Sequence, residues 1–370
     1  MEQEKQSSGI AAVVLAAGMS RRMGTPKQLL ELDGKVLLQH TLENVRGSGI
    51  DEIVLVLGFA ADAVRQQISI NGLKVVVNPE YQQGMGTSLR AGLAAVSPQA
   101  KGGLIVLADQ PLIRPGTLTQ LMAYHHEHQP QILIPAYKGF RGNPVLLDRE
   151  VFPELMSLNG DVGCRAIFGS HTENIHKLDV DDIGILLDID SMDDLQKAQE
   201  ARSSALTAAS LEARDGIADG QPELVIVGRD AMARALAKLG RVLHFTVTIV
   251  DPLMRLSEWP EADRVLHELD FTLLPGSQRC VVVASRGQFD EEAIEQALTS
   301  DAAYVALLAN KERAKELLHS LRIKGISLRK IAQVRAPAGL AIGAESPEEI
   351  ALSILAEIVA ERRIGRTNSY

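Results

Sequence analysis

Three kinds of side chain in the first third of the chain have the types and spacing for phosphate chemistry. The stretch IAAVVLAAGMSRRMGTPK opens as a short apolar run and breaks into a loop with Gly18, Gly24, Arg21, Arg22 and Lys27. A strand that ends in a glycine-containing cationic loop offers backbone N–H groups and positive charge to a phosphate. Glycine lets the backbone come close to a ligand because it has no Cβ. No Gly-Lys-Ser/Thr follows, so the loop is not a Walker A sequence. Asp109 stands just past another apolar run, in VLADQP. A carboxylate there is placed to hold Mg²⁺ against phosphate oxygens, neutralising charge at the reacting phosphorus. The third group is NPEYQQGMGTSL, from Asn78, where Gly84, Gly86, Thr87 and Ser88 stand at an expected helix start. Free N–H groups and hydroxyls there can meet a base or phosphate, or simply cap the helix.

Further along, Arg141-Gly142-Asn143-Pro144 precedes a strand and Asn159-Gly160-Asp161-Val162-Gly163-Cys164-Arg165 leads into a helix. Asn143, Asp161 and Arg165 are candidates for a second, polar substrate; plain turns would read the same way. Asp190, in DIDSMDDL, reads from its neighbours as a helix-start residue. His125, His126 and His128 lack zinc-ligand spacing and read as solvated. No GxSxG or Cys/His nucleophile context occurs.

The elements that must position these residues alternate. Apolar runs at 53–57, 73–77, 104–107, 132–134 and 145–147 predict strands. Amphipathic stretches at 36–45, 60–68, 86–96, 115–126 and 149–158 predict helices. Such alternation predicts βαβ units and a mostly parallel sheet with helices on both faces. Ligands on such sheets sit beyond the carboxyl ends of the strands, so the loops after each strand matter most.

The set LAAGMSRRMGTPKQLL, VLADQPLI, RGNPVLL, NGDVGCRAIF and DIDSMDDL, spanning about residues 10 to 200, resembles the molybdenum cofactor cytidylyltransferase family, of the MobA-like NTP transferases. The resemblance implies transfer of CMP from CTP to the molybdopterin phosphate, with release of pyrophosphate. It implies that Leu15, Ala16, Ala17 and Gly18 contact base and ribose. Gly24, Asn78, Gly84 and Ser88 would complete the nucleotide site. Arg22 and Lys27 would hold the triphosphate, and Asp109 and Asp190 the Mg²⁺. Ala17, where the related guanylyltransferases carry Gly, favours cytosine.

Residues 201–221, rich in Ala, Ser, Asp and Gly, read as a linker, helical near 206–213. A second α/β unit then begins. Leu224–Val227 and Val247–Val250 predict strands around Gly228-Arg229-Asp230 and an Ala/Leu helix. Asp251 follows at about the separation of a ribose-binding acid. Asp230 occupies the second glycine position of the dinucleotide fingerprint, adding bulk and negative charge where a pyrophosphate would approach. Val281–Val283 and Ala302–Leu308 predict further strands, and Ser346, Pro347 and Glu349 form a capping box for the last helix. Residues 222–363 resemble the C-terminal Rossmann domain of the XdhC/CoxI family of molybdenum hydroxylase accessory proteins. This implies cofactor binding and delivery to a xanthine dehydrogenase-type client. Asp230 and Gln288 depart from that family's Gly and His.

The expected organisation is therefore α/β with two domains. Residues 9–200 form a nucleotidyltransferase-type, Rossmann-like domain and residues 222–370 a smaller Rossmann-like domain. The alternatives are a transferase using GTP or another phosphorylated acceptor, or a non-catalytic cofactor chaperone. A net charge of −9 with no long basic tract argues against nucleic acid as partner. No apolar run reaches membrane-spanning length and the first residues lack a signal-peptide core. Two distant cysteines fit a cytoplasmic protein.

Overall fold

The apolar run at the start of the chain is continuous rather than alternating because both sides of its strand are covered. In the computed structural model β1 (Ile10–Ala16) sends alternate residues into two different cores. Ile10, Ala12, Val14 and Ala16 enter one, and Ala11 and Val13 the other. Each fully buried Val, Leu or Ile contributes roughly 1.5–3 kcal/mol, so helices on both faces are the stable arrangement. The structure describes residues 9–18, 26–32, 34–157, 160, 163–189, 194, 196, 210–214, 217, 221–274, 279–300 and 302–367, with side chains to 363.

The chain divides into two compact units, Met1–Tyr137 with Arg141–Thr207, and Lys138–Phe140 with Ala208–Tyr370. In the first, β1 is followed by α1 (Leu37–Gly47), β2 (Glu52–Leu57), α2 (Ala61–Gln67), β3 (Leu73–Val77), α3 (Met85–Ala95), β4 (Gly102–Leu107) and α4 (Pro115–His128). Then come β5 (Ile132–Tyr137), β6 (Val145–Asp148), a short α5 (Phe152–Leu155) and β7 (Ile175–Asp179). The strand order is β7-β5-β6-β4-β1-β2-β3, with Phe140–Arg141 pairing β5. All pairings along this path are parallel except those of β6. The chain runs outward through β2 and β3, then returns to place β4 on the other side of β1. The topological switch point therefore lies between β1 and β4, where an open α/β sheet has its crevice.

The second unit adds β8 (Leu211–Ala213), β9 (Glu223–Val227), α6 (Ala231–Val242), β10 (Thr246–Val250), β11 (Arg264–Leu266) and β12 (Arg279–Val283). It ends with α7 (Asp290–Thr299), β13 (Tyr304–Leu307), α8 (Lys311–Ile323), β14 (Val334–Arg335) and α9 (Pro347–Thr367). Its order is β8-β11-β10-β9-β12-β13-β14, parallel apart from β8. The switch point falls between β9 and β12. Met232, Leu236, Ile354, Leu355 and Ile358 of α6 and α9 join Leu224 and Ile226 in one core. The capping box forms as expected: Glu349 N donates to Ser346 Oγ (3.2 Å), and Ser346 N to the Glu349 carboxylate (3.0 Å).

Three expectations need correction. Residues 211–213 are not helical linker but an edge strand antiparallel to β11. The predicted helix at 149–158 is a 3₁₀ turn, Arg149–Val151, followed by the single turn of α5; Pro153 is placed at the start of α5, where its missing N–H does no harm. His125 is not solvated. It is 4% exposed on the core side of α4, with Nε2 3.2 Å from Asp148 Oδ2, and burial lowers its pKa. His126 and His128 are exposed. No described helix is long and apolar enough to cross a membrane.

Candidate active site at the switch point

Two loops meet beyond the carboxyl ends of β1 and β4, and each is held by side chains that carry no charge. The peptide 15–18 is fixed by its backbone: Ala108 N donates to Leu15 O (3.1 Å) and Phe59 N to Ala17 O (3.2 Å). Gln28, 2% exposed, then reaches back. Its Nε2 donates to Ala16 O (2.9 Å) and Gly18 O (3.2 Å), tying the loop's far end to its start. Gln28 belongs to the 3₁₀ turn Lys27–Leu29, so the same contacts set where Lys27 stands. The opposing loop is held from α1, where Thr41 Oγ1 donates to Ala108 O (3.2 Å) and Asn44 Nδ2 to Pro111 O (2.8 Å). Ile189 N donates to Asp109 O (2.8 Å), and Gln110 Nε2 to Asp188 Oδ1 (2.7 Å). Across the switch point Lys27 Nζ forms an ion pair with Asp109 Oδ2.

The start of α3 supplies the facing wall. Gly84 has φ 112° and ψ 175°, a conformation that L-residues avoid, and no side chain caps the helix. Asn78 pins this segment: its Nδ2 donates to Thr87 Oγ1 (2.9 Å) and Ser88 Oγ (3.0 Å), and its Oδ1 accepts from Glu80 N (2.9 Å).

These walls enclose a cleft of about 470 Å³. Of the sequence candidates, Leu15, Ala17, Gly18, Lys27, Gly84, Ser88 and Asp109 line it together. Ala16 and Asn78, expected at the nucleotide site, do not. Ala16 is a buried strand residue whose carbonyl goes to Gln28, and Asn78 is 3% exposed with its amide spent on α3. Both act on the walls rather than from them. Beside the cleft lies a cavity of about 250 Å³ that shares Leu15, Met85 and Leu107 with it and holds Asn143, Gly163, Cys164 and Arg165. Arg22, Gly24, Asp161 and Asp190 lie outside the described residues. Gln28, Tyr81 and Met85 line the cleft without having been singled out. Gln28, between Lys27 and the Leu29-Leu30 pair, had no local signal, and neither had Tyr81 or Met85. Burial pushes the Cys164 thiol up to about 12, so it stays protonated and is no nucleophile.

The second unit repeats the topology with other residues. Gly228, with φ 122°, ends β9, and an added Cβ would stand 2.6 Å from Ala284 O. Asp230 caps α6, its Oδ1 accepting from Ala233 N (3.0 Å) and its Oδ2 from Arg286 Nε (2.6 Å). Arg229 Nη1 lies 3.5 Å from Asp251 Oδ1, which is 3% exposed and whose pKa is raised by burial.

Residues 12–175 match the family described as the MobA-like NTP transferase domain, and residues 224–358 match the XdhC Rossmann domain. Over 197 residues the chain is 30% identical to nicotine blue oxidoreductase of Paenarthrobacter nicotinovorans, covering 51% of this chain and 95% of that protein. Over 196 residues it is 24% identical to molybdenum cofactor cytidylyltransferase of Escherichia coli strain K12, covering 52% of this chain and 97% of that protein. A crystal structure of an Rv0371c homologue from Mycobacterium sp. strain JC1 aligns with 34% identity and a TM-score of 0.48, over 53% of this chain and 98% of that one. The chain thus belongs to the MobA-like NTP transferase family through its first unit, a nucleotidyltransferase domain, and continues into an XdhC Rossmann domain.

Proposed function

We propose that the first unit transfers CMP from CTP to the phosphate of molybdopterin, and that the second assists delivery of the product to a molybdenum hydroxylase. The observation behind this reading is the meeting of Lys27 and Asp109 in one cleft, opposite a helix start that no side chain caps. Gly86 N already donates to Gly160 O (3.1 Å), so what this helix start offers a phosphate is the positive end of its dipole. Lys27 exchanges its carboxylate partner for the triphosphate. Leu15, Ala17 and Gly18 take the base and ribose, and Asn143 and Arg165 orient the acceptor in the adjoining cavity. An acceptor phosphate oxygen attacks the α-phosphorus in line; the bond to the β-phosphate oxygen breaks and pyrophosphate leaves. No side-chain nucleophile takes part, so the rate comes from positioning and charge.

Mg²⁺ fits the donors available. Among the described residues no group of three or more His, Cys, Asp or Glu side chains is arranged to hold a metal. Mg²⁺ does not need one, because it keeps several waters and takes one or two carboxylates plus substrate phosphates. Asp109 is the described residue for that role, and Asp190 is proposed as the second. When bound, the ion neutralises phosphate charge during transfer. Arg22 and Gly24 are proposed as further triphosphate contacts, and Asp161 as a further acceptor contact. The two cysteines are unpaired and buried, in keeping with a reducing cytoplasm.

A second reading has its own observation. The adjoining cavity is walled by Leu15, Leu89, Ile105, Leu107 and Val145. Such a wall suits a ring better than a polyol, whose hydroxyls would lose hydrogen bonds there. Another phosphorylated ring compound is therefore the rival acceptor. Pyrophosphate release with CTP or GTP, against molybdopterin, sugar phosphates and methylerythritol phosphate, separates these readings. The proposal expects CTP with molybdopterin to be fastest, with a cytidylylated product by mass. Preference for another pair rejects it.

A further inference from the structure

The second unit has the strand order of a dinucleotide-binding fold, with β10 and β11 on one side of β9 and β12 and β13 on the other. In that fold a pyrophosphate lies across the switch point, on the N–H groups at the start of the first helix. Its approach needs a glycine where this chain has Asp230.

The side chain at that position does what the ligand would do. One carboxylate oxygen of Asp230 takes the N–H of Ala233 at 3.0 Å. The other takes Arg286 Nε at 2.6 Å, from the loop after β12. One ion pair thus bridges the two loops that border the crevice. The other charges nearby are likewise matched within the chain. Arg229 faces Asp251, the acid at the end of β10. Asp290 accepts from Ser285 Oγ at 2.5 Å and pairs with Arg313 Nη2, also at 2.5 Å. Arg286 holds its position with φ 50°, a left-handed conformation that non-glycine residues rarely adopt.

We propose that Asp230 is a built-in substitute for the pyrophosphate: its carboxylate closes the crevice of the XdhC-type unit, and this chain takes no dinucleotide there. A bound dinucleotide would have to displace a carboxylate held by a backbone N–H and a guanidinium, and then lie against it.

The test titrates the full-length chain with NADH, followed by nicotinamide fluorescence, in wild type, Asp230→Gly and Asp230→Ser. Serine keeps a cap for α6 without the charge, so it carries the test if the glycine variant does not fold. Any NADH taken by the first unit is common to all chains and cancels in the comparison. The expected result is no saturable wild-type binding attributable to this crevice. At least one variant gains saturable binding that is tenfold or more tighter and is competed by inorganic pyrophosphate. Equal, pyrophosphate-sensitive binding by wild type and variants that persists when Lys27→Ala is added to each chain would overturn the proposal. So would folded variants that gain nothing, since Asp230 would then not be what closes the site.

Discussion

The two units place an ion pair of opposite polarity across the same topological position. In the first, the cation Lys27 follows the first strand and the acid Asp109 stands across the switch point. In the second, the acid Asp230 follows the first strand and the cation Arg286 stands across. Polarity matters because the helix start beside such a loop carries partial positive charge. In the first unit the helix start at Gly84 has no side-chain cap and a cleft of about 470 Å³ lies before it. In the second an internal carboxylate caps the helix. The two crevices thus share a strand order but differ in the sign of the charge on the first-strand side of the ion pair.

Changes to either pair break or sharpen this contrast. The largest effect is expected from Lys27→Ala, which removes the cation from the open cleft. The turnover measured as kcat/KM for pyrophosphate release should fall about 100- to 1000-fold, with the melting temperature nearly unchanged. A fall below tenfold would remove Lys27 from the triphosphate site. Next is Gly228→Ala, which forces a Cβ onto Ala284 O at positive φ. It should destabilise the second unit by about 2 kcal/mol or more, visible in a denaturant melt, while the first unit keeps its activity. Loss of both together would break the separation of the units.

Smaller is Gln28→Leu, which deletes the two bonds to Ala16 O and Gly18 O. It should lower kcat/KM about tenfold, as about 1.4 kcal/mol of positioning is lost; an unchanged value would make Gln28 packing only. The last effect is absent at neutral pH and appears only in alkali. Burial raises the Cys164 thiol to about 12 and the Cys280 thiol to about 11, from an ordinary 9.0. The folded state holds these protons longer than the unfolded one, so the stability they contribute is complete below pH 9 and is lost as pH rises toward 12. Thermal melts across that range should fall, and less steeply in a Cys164→Ala, Cys280→Ala chain.

Much of this was legible in the sequence because the signals were local. The apolar runs at 53–57 and 224–227 became strands within a residue of their expected bounds, since a strand buried on both faces needs uninterrupted Val, Ile and Leu. Lys27 and Asp109 were legible for the same reason, each being tied to the end of such a run. What escaped was set by tertiary contact. Arg264–Leu266 is too short to show a period and is a strand only because β10 pairs with it. Leu211–Ala213 is a strand because β11 accepts it at the edge. His125 looks like its two neighbours in sequence, and only the packing of α4 turns it inward toward Asp148. Asn78 and Ala16 sit in the right segments, yet their side chain and carbonyl are consumed in holding the walls. Asp230 was readable as an obstacle, but its partner Arg286 is 56 residues away and no local pattern joins them.

In the proposed function Asp109 is the acid that serves a triphosphate in the open cleft. Mg²⁺-dependent pyrophosphate release from CTP and molybdopterin, measured side by side for the intact chain and Asp109→Asn, tests it most directly. The account predicts robust release by the intact chain and a loss of at least about 100-fold in the variant at equal folded concentration. Equal release by both, or none by the intact chain with any nucleoside triphosphate, would contradict it.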